Sequence, residues 1–512
     1  MESRGVGRSL LPFILILLVA VLARAAVFRG FAASDDADYA AAAYEITQGH
    51  FPPVGEGLPP HYPTRLGVTV PVALCFKLFG VHEWSLLLFP MAMSAASLGL
   101  AYALGRVFFS RRAGLIAMLL YAVMPIDCQF ATWCLSDVPG AAWSAGGMLA
   151  LVLGSRAEGR GRKAAAGLIA ALCFGLSWIT RTQVAQLAPF VAALAVLWAW
   201  RDRRNEWLAG TLALGVAGVV IGEGLFYLAT RGDFFYVLHA MERLYAAHGS
   251  RQYFREGSPY GWEPGHHALG LVKRLFKTGP ETIFLNPNFA LVPLAALLAA
   301  LHAMWWRQGR FALPAAWFLW SAFIFNFGSA SLRRYEPLPC VDAYVVPVLL
   351  PAVALAGGWL AWALETPAGP ERAAARERRF AAALLCAMIA ISAAFGLYQR
   401  YRQGIGCGST RPVAQDLCPK LQSDPAFVLY TDPATRRALE FFCGYNVKAK
   451  LWEGDFYPAG ALLLVNPPEL QRVSDQSGCG MPSYPPSWRV EKQWGEVKLY
   501  RMIIVTATSP GG

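Results

Sequence analysis

Long apolar runs constrain the fold of this chain more than any other feature of its sequence. A bilayer core about 30 Å thick needs roughly 20 apolar residues for each spanning helix. About eleven stretches approach that length, namely residues 10–27, 84–105, 113–127, 138–154, 164–181, 183–200, 207–229, 288–306, 311–330, 342–364 and 380–397. The chain is 56% hydrophobic and only 15% charged. It therefore reads as an α-helical polytopic membrane protein and not as a soluble enzyme.

Short basic loops predict the orientation of these spans. Five of them fall on one side of the eleven-span pattern, at residues 106–112, 156–163, 201–204, 307–310 and 371–379. Positively charged loops stay in the cytoplasm, so we assign that side to the cytoplasm. The first apolar run is followed by further spans, and we interpret it as a retained anchor. The net charge of +12 then reflects membrane topology, and no nucleic-acid partner is predicted.

The opposite, outer face receives two long loops, at about residues 30–83 and 230–287, and the C-terminal tail. The tail changes periodicity, because "FVLYTD" and "ALLLVN" are typical of strands and "PATRRALEFFCGY" of a helix. We therefore expect two domains: a transmembrane domain over 1–397 and a small extracytoplasmic α/β domain over 398–512.

Four of the ten cysteines, Cys407, Cys418, Cys443 and Cys479, lie in this tail. An exported domain meets an oxidising compartment, so at least one disulfide is expected. Four cysteines allow three pairings, and the sequence does not choose among them. Their spacing does not match a zinc site.

The stretch "SDDADY" at residues 34–39 places three carboxylates just after the first apolar run. The following residues favour a short helix along the membrane surface that ends at Gly49. Ser34 or Asp35 could then be the helix N-cap, and the other carboxylates would complement the helix dipole, each contributing roughly 0.3–1 kcal/mol. The alternative is that these carboxylates carry the chemistry.

Further along the same loop, "LPPHYPTRLGVTVPVALCFKLFG" predicts a second interfacial helix before the span at Trp84. Two such helices would form a covered cleft. This loop, together with "LSDVPGAAWSAGGMLAL", "GLSWITRTQVAQLAPF" and "RRYEPLPCVDAYVVPVLLPAVAL", resembles the polyprenyl-phosphate-sugar-dependent glycosyltransferases of the C-type superfamily. That group contains the protein O-mannosyltransferases and the lipid A aminoarabinose transferase. The motifs occur in matching order over roughly the first 360 residues.

The resemblance implies a reaction in which an acceptor hydroxyl attacks a sugar carried on polyprenyl phosphate, with inversion at the anomeric carbon. It identifies Asp35 as the general base. Asp36 is the second catalytic candidate, expected to bind the acceptor or to orient Asp35, whereas Asp38 is expected to cap the helix. Polyprenyl phosphate leaves without protonation, so the paired carboxylates of glycoside hydrolases are not required.

A phosphate group needs cationic partners, and several arginines are expected on the outer face. The donor-phosphate candidates are Arg65, Arg181, Arg333 and Arg334, although each could instead extend towards lipid headgroups. Secondary site candidates are His61, Tyr62, Asp137, Glu223 and Tyr335. Glu223 is included because an ionisable group inside a span is costly unless it is paired or in a wet cavity.

The residues predict no certain cofactor. Because some members of the resembling family bind a divalent metal ion, a metal site is also considered. The candidate ligands are His61, His266 and His267. Adjacent histidines in a loop are also common as plain polar residues, so this alternative stays open.

Two other functional classes are compatible with many spans. A transporter or flippase would be expected to show inverted repeats and broken helices, and neither is clear here. An enzyme like the O-antigen ligases would place its key residues in a late loop, not after the first span. The composition, rich in Ala, Gly and Arg, suggests a bacterial inner-membrane protein whose site faces the periplasm. The acceptor would be a cell-envelope glycan such as lipopolysaccharide, a lipid or a protein.

Overall fold

A computed structural model describes residues 4–54, 59, 61–244, 267–329, 335, 337–365, 372–424, 428–447, 449–451, 461–468 and 489–501, with the side chains of 4–9, 244, 267–269 and 372–375 excepted. The described α-helices are α1 Arg4–Ala26, α2 Asp35–Thr47, α3 Leu66–Phe79, α4 Glu83–Phe108, α5 Arg111–Ala122, α6 Pro125–Phe130, α7 Asp137–Arg156, α8 Arg160–Thr180, α9 Ala188–Arg201, α10 Glu206–Arg231, α11 Tyr236–Leu244, α12 His267–Lys273, α13 Val292–Trp305, α14 Ala312–Phe327, α15 Asp342–Ala363, α16 Arg372–Arg402, α17 Thr410–Ser423 and α18 Pro433–Phe442. The strands are β1 Leu429–Thr431, β2 Lys450–Leu451, β3 Leu462–Val465, β4 Arg489–Trp494 and β5 Val497–Arg501.

Residue contacts divide the chain into two compact units. The first consists of Met1–Phe28, Gly55–Val68 and Pro90–Gln403. The second consists of Arg29–Val54, Thr69–Phe89 and Gly404–Gly512. It therefore includes two stretches of the first loop that the predicted domain 398–512 leaves out. The linear division at residue 397 stays a prediction.

The predicted membrane class is confirmed by the helices. Within the described residues, seven helical stretches are long and apolar enough to cross a membrane: Glu83–Phe108, Asp137–Arg156, Arg160–Thr180, Thr182–Arg201, Arg203–Arg231, Asp342–Ala363 and Arg376–Arg402. The other four predicted spans coincide with α1, α5, α13 and α14, which fall outside that set. All eleven stretches are thus helical, while the number that cross the bilayer stays a prediction.

The first unit packs around α15. In the most apolar stretch of this helix, 83% of the residues are buried. Small residues allow close helix contacts there. A Cβ atom added to Gly357 would lie only 2.8 Å from the backbone nitrogen of Ala117 on α5. A Cβ atom at Gly105 would lie 2.8 Å from the Cα atom of Gly114. Because helices in lipid associate mainly through such close packing, these glycines fix the arrangement of α4, α5 and α15.

The second unit contains a five-stranded sheet in the order β2-β1-β3-β5-β4. Strand β1 is parallel to β2 and β3, whereas β5 is antiparallel to β3 and β4. Helices α17 and α18 cover one face of the sheet. Val413 and Leu417 of α17 and Leu439 of α18 pack on the strand residues Leu462, Leu464 and Leu499. The small C-terminal α/β fold predicted from the tail is confirmed, as are the two helices of the first loop, α2 and α3.

One disulfide joins α17 to the end of α18, between Cys418 and Cys443. It confirms the prediction that at least one pair in the tail is oxidised, and it selects one pairing. Cys407 is buried, and Cys479 lies outside the described residues.

Closing a loop with a sequence separation of 25 residues should stabilise this unit by about 3 kcal/mol. We expect thiol alkylation of the exported, unreduced protein to spare Cys418 and Cys443, and alkylation after reduction to modify both. Peptide mass spectrometry measures the difference. Labelling of both thiols in correctly exported, unreduced protein would contradict this pairing.

Candidate functional site

Most of the predicted site residues fall into two clusters, the carboxylates in the second compact unit and several cations in the first. The carboxylates form the carboxylate segment, residues 34–38, at the start of α2. Asp36 is fully buried, and its oxygens accept hydrogen bonds from the backbone N–H groups of Ala32 (2.6 Å) and Ser34 (2.8 Å). These bonds fix the turn that leads into the helix. Asp36 is therefore placed to orient its neighbour, and its part in catalysis stays a prediction.

Asp35 is the first residue of α2 and is exposed. Its carboxylate has no hydrogen bond or ion pair with any residue that the structure describes. A general base needs an accessible oxygen that is not already occupied by a donor. Of the three carboxylates, Asp35 meets that requirement.

Asp38 has a different environment from the one expected of a capping residue. It is 4% exposed, and one of its oxygens lies 3.4 Å from a guanidinium nitrogen of Arg437 on α18. Burial raises the pKa of Asp38 to about 6, the charges of Asp35 and Asp36 raise it as well, and Arg437 opposes the shift. The carboxyl group of Asp38 therefore loses its proton at a higher pH than the carboxyl group of an exposed capping residue would.

Aromatic contacts join the same region to α18. The rings of Phe31 and Phe441 are stacked with centroids 4.0 Å apart. The ring of Tyr44, near the end of α2, stacks on Tyr445 with centroids 4.7 Å apart. Burial, together with the charges of Glu440, Asp36 and Asp38, raises the pKa of Tyr445 well above its usual range. Its hydroxyl thus stays protonated beside the carboxylate segment.

A second ion pair supports the turn before α2. Glu83 accepts a hydrogen bond from the backbone N–H of Phe31 at 2.7 Å. The guanidinium of Arg411 pairs with both oxygens of Glu83. A paired arginine and carboxylate give geometric specificity as well as attraction. Arg411, in the C-terminal part of the second unit, therefore helps to fix the position of Phe31 through Glu83.

In the first unit the structure brings two predicted arginines to one serine. Arg65 donates to the hydroxyl of Ser136 at 3.1 Å, and Arg181 donates to the same oxygen at 3.4 Å. Arg181 also pairs with Asp137, the first residue of α7. We call Arg65, Ser136, Asp137 and Arg181 the arginine cluster. The cluster contains two guanidinium groups, and the planar set of donors on each guanidinium suits a phosphate.

Neighbouring aromatic residues orient the two guanidinium groups. Arg181 lies over the ring of Tyr344 at 4.7 Å, and Arg65 lies over the ring of Tyr62 at 5.7 Å. The rings of His61 and Tyr62 are 4.0 Å apart, and both residues are buried. His61, Tyr62 and Asp137 were predicted as secondary candidates, so the structure joins them with Arg65 and Arg181.

Other predicted residues are not part of these clusters. Arg333, Arg334 and His266 lie outside the described residues, as does the side chain of His267. Tyr335 is 42% exposed. Their predicted roles stay untested.

Glu223 lies on α10 within a separate cavity of about 640 Å³. Its carboxylate accepts a hydrogen bond from the indole N–H of Trp178 at 2.5 Å. The cavity lies among α8, α9, α10 and α11, and its other lining side chains are apolar or aromatic. Glu223 is therefore a polar group in an otherwise apolar space, and it is not part of the arginine cluster.

The metal expectation receives no support from the described side chains. Among them, no three His, Cys, Asp or Glu residues are grouped so that they could hold a metal ion. Of the three histidines proposed as ligands, His61 alone has a described side chain, and it packs on Tyr62. We therefore assign no reaction step to a metal.

Sequence reasoning missed Ser136 of the arginine cluster, and it missed residues that contact the two clusters, among them Tyr344, Arg437 and Tyr445. Ser136 and Tyr344 lie within or next to segments that carried the resemblance, "LSDVPG" and "CVDAY", so closer attention to their polar members could have found them. No pattern in the sequence connects Arg437 or Tyr445 with residues 34–44.

Comparison with known proteins gives a profile match over part of the chain and solved structures of similar fold. The sequence profile described as dolichyl-phosphate-mannose-protein mannosyltransferase matches residues 68–221. No curated protein matches the chain in sequence. Among solved structures, ArnT from Cupriavidus metallidurans in the apo state has a TM-score of 0.55 at 15% identity and covers 98% of each chain. ArnT from the same organism bound to undecaprenyl phosphate has a TM-score of 0.56 at 14% identity, covering 97% of this chain and 98% of the other.

The solved structures show the fold. The profile match covers a segment that includes α7, α8 and most of α10. That segment contains Asp137 and Arg181 of the arginine cluster. Together the profile and the fold confirm the resemblance to the C-type polyprenyl-phosphate-sugar glycosyltransferases, and they indicate that this chain is a membrane glycosyltransferase.

Proposed function

We propose that the protein transfers a sugar from a polyprenyl-phosphate donor to a hydroxyl of a cell-envelope acceptor, with inversion and with Asp35 as the general base. The acceptor class is a glycan such as lipopolysaccharide, a lipid or a protein. The proposal also assigns the donor phosphate to the arginine cluster.

The observation that carries this proposal is the division of roles among three neighbouring carboxylates. Asp36 is occupied by two backbone N–H groups, and Asp38 is buried beside Arg437. Asp35 alone of the three is exposed. This arrangement supports a single accessible base on a fixed helix start, which is what one-step inverting transfer requires.

The reaction balances with these residues. The acceptor oxygen forms a bond to the anomeric carbon as its proton passes to Asp35, and the bond from that carbon to the phosphate oxygen breaks. Polyprenyl phosphate leaves with the electron pair, and guanidinium groups stabilise the charge that develops on it. In this mechanism Asp35 acts on the acceptor, and Arg65 and Arg181 act on the phosphate.

A lipid-linked donor is supported by two further observations. One of the similar solved structures, ArnT, has undecaprenyl phosphate bound. The first unit of this chain also contains the apolar cavity among α8, α9, α10 and α11, which suits a hydrocarbon chain. We propose undecaprenyl or decaprenyl phosphate as the carrier, in a bacterial inner membrane.

The proposed site faces the periplasm, because the basic loops are assigned to the cytoplasm. Alkaline phosphatase fused after residue 403 is therefore expected to be active, and a reporter that works only in the cytoplasm should be inactive there. The reverse result would place the C-terminal part of the second unit on the cytoplasmic side and would contradict the proposed location.

A deletion strain tests the function itself. We expect mass spectrometry of its envelope to show one glycan, lipid or protein that lacks a sugar, and the sugar should return when the wild-type gene is restored. An unchanged envelope, together with altered uptake or export of a solute, would favour a transporter instead.

A further inference from the structure

Three contacts join the region of the proposed base to one short helix of the C-terminal part of the second unit. Phe31, four residues before Asp35, stacks on Phe441 of α18. Asp38, in the first turn of α2, pairs with Arg437 of α18. Tyr44, near the end of α2, stacks on Tyr445 just beyond α18. The contacts therefore span nearly the whole length of α2.

The elements that make these contacts are themselves fixed. Asp432 caps α18 by accepting from the N–H groups of Ala434 (3.0 Å) and Thr435 (2.9 Å). The disulfide at Cys443 ties the other end of α18 to α17. Tyr445 has a φ of +59°, a backbone conformation that residues with side chains rarely adopt. The stacking of its ring on Tyr44 occurs in this conformation. Helix α18 is thus a rigid support and not a loosely attached surface element.

Charge makes the contact between Arg437 and Asp38 the most informative of the three. Asp38 is one of two buried carboxylates in the carboxylate segment. The other groups that act on it electrostatically are Asp35, Asp36 and Tyr445, and Tyr445 itself lies near Glu440. Arg437 is the cation that opposes this accumulation of negative charge. Removing it would leave a buried carboxylate without compensation in the turn that begins with Asp35.

We propose that Arg437 is a positioning residue of the transferase, acting through its ion pair with Asp38 to hold the first turn of α2 and hence the carboxylate of Asp35. This inference rests on the proposed function. It assigns the C-terminal α/β fold a part in catalysis without any contact with substrate. Residues three apart on a helix are neighbours, so a shift of Asp38 displaces Asp35 directly.

The test uses the full-length protein with Arg437→Gln, and with Arg436→Gln as the matched control. Arg436 is the next residue on the same helix, and its ion pair with Glu440 at 3.5 Å stays within α18. Misplacing a reacting group by about 1 Å can cost roughly 100-fold, so we expect Arg437→Gln to lower kcat by up to about 100-fold with the donor KM unchanged. Arg436→Gln should retain wild-type kcat.

Two further variants separate positioning from a loss of folding. Arg437→Lys keeps the charge and should recover part of the lost kcat. The double variant Arg437→Gln with Asp38→Asn removes the uncompensated carboxylate. Its kcat should therefore be higher than that of Arg437→Gln alone. In the wild type, kcat should decline as the pH falls through about 6, where Asp38 binds a proton and loses the ion pair, and this step should be absent in the double variant.

Hydrogen exchange of the backbone amides of α2 gives a readout that does not depend on turnover. Exchange over Asp35–Thr47 should be faster in Arg437→Gln than in the wild type, close to wild type in Arg436→Gln, and intermediate in the double variant, which lacks both the ion pair and the uncompensated charge. Wild-type exchange in Arg437→Gln would overturn the inference, whether or not the protein is active. An inactive wild type with the expected exchange pattern would instead contradict the proposed function and leave the support of α2 by Arg437 in place.

Discussion

Replacing Asp35 by Asn should lower kcat for sugar transfer by about 10²–10⁴-fold, the usual contribution of a general base. The protein should stay folded, because Asn has nearly the same volume and Asp35 is exposed at the start of α2. Turnover of a labelled donor by the purified variant, together with its thermal melt, measures both effects.

Two variants control this experiment. Asp202→Asn changes an exposed N-cap residue in a predicted cytoplasmic loop, where the side chain accepts from the N–H of Arg204 at 3.0 Å, and it should retain full activity. Asp35→Glu keeps a carboxylate and should be less impaired than Asp35→Asn. Asp38→Asn is not a neutral control, because Asp38 is buried beside Arg437. Near-normal turnover by Asp35→Asn would remove Asp35 from the mechanism.

Replacing Arg181 by Gln is expected to have the second large effect. A charge-assisted hydrogen bond contributes about 1.5–3 kcal/mol, so its loss should raise the donor KM by roughly 10- to 150-fold. The same change removes Arg181 from its ion pair with the buried Asp137, and breaking a buried pair can cost about 3–5 kcal/mol of folding stability. Donor titration and thermal melts must therefore be measured together.

A double variant separates these two effects. Arg181→Gln with Asp137→Asn also removes the buried negative charge of Asp137, so its melting temperature should recover. Its donor KM should stay high, because the phosphate still lacks a cation. Recovery of the donor KM in the double variant would mean that Arg181 serves only as the partner of Asp137, and the arginine cluster would then not be the phosphate site.

Local features of the fold were predictable because their signals are contained in short stretches of sequence. Helix α2 begins at Asp35, as the polar residues before an alanine-rich run indicate. The apolar runs predicted the positions of the spanning helices, since hydrocarbon imposes both their length and their composition. Arg65 and Arg181 were each predicted as donor-phosphate candidates on the outer face, but their meeting at Ser136 needed the fold.

Contacts between distant residues were not predictable in the same way. Arg437 and Asp38 are about 400 positions apart in the printed sequence, and nothing in "PATRRALEFF" indicates which of its two arginines faces α2. The expected capping role of Asp38 followed from local helix rules, but burial by α18 gave it another environment. The choice of Cys418 with Cys443 among three pairings also needed the fold.

The central claim is tested most directly by following both parts of the donor with purified wild-type protein. A polyprenyl-phosphate sugar labelled separately in the sugar and in the lipid would be incubated with envelope extract, and both products would be identified by mass and by the configuration of the new glycosidic bond. We predict that polyprenyl monophosphate and glycosylated acceptor form in equal amounts, with inversion at the anomeric carbon. Retention of configuration, or an intact donor in the presence of folded protein and complete extract, would contradict the account.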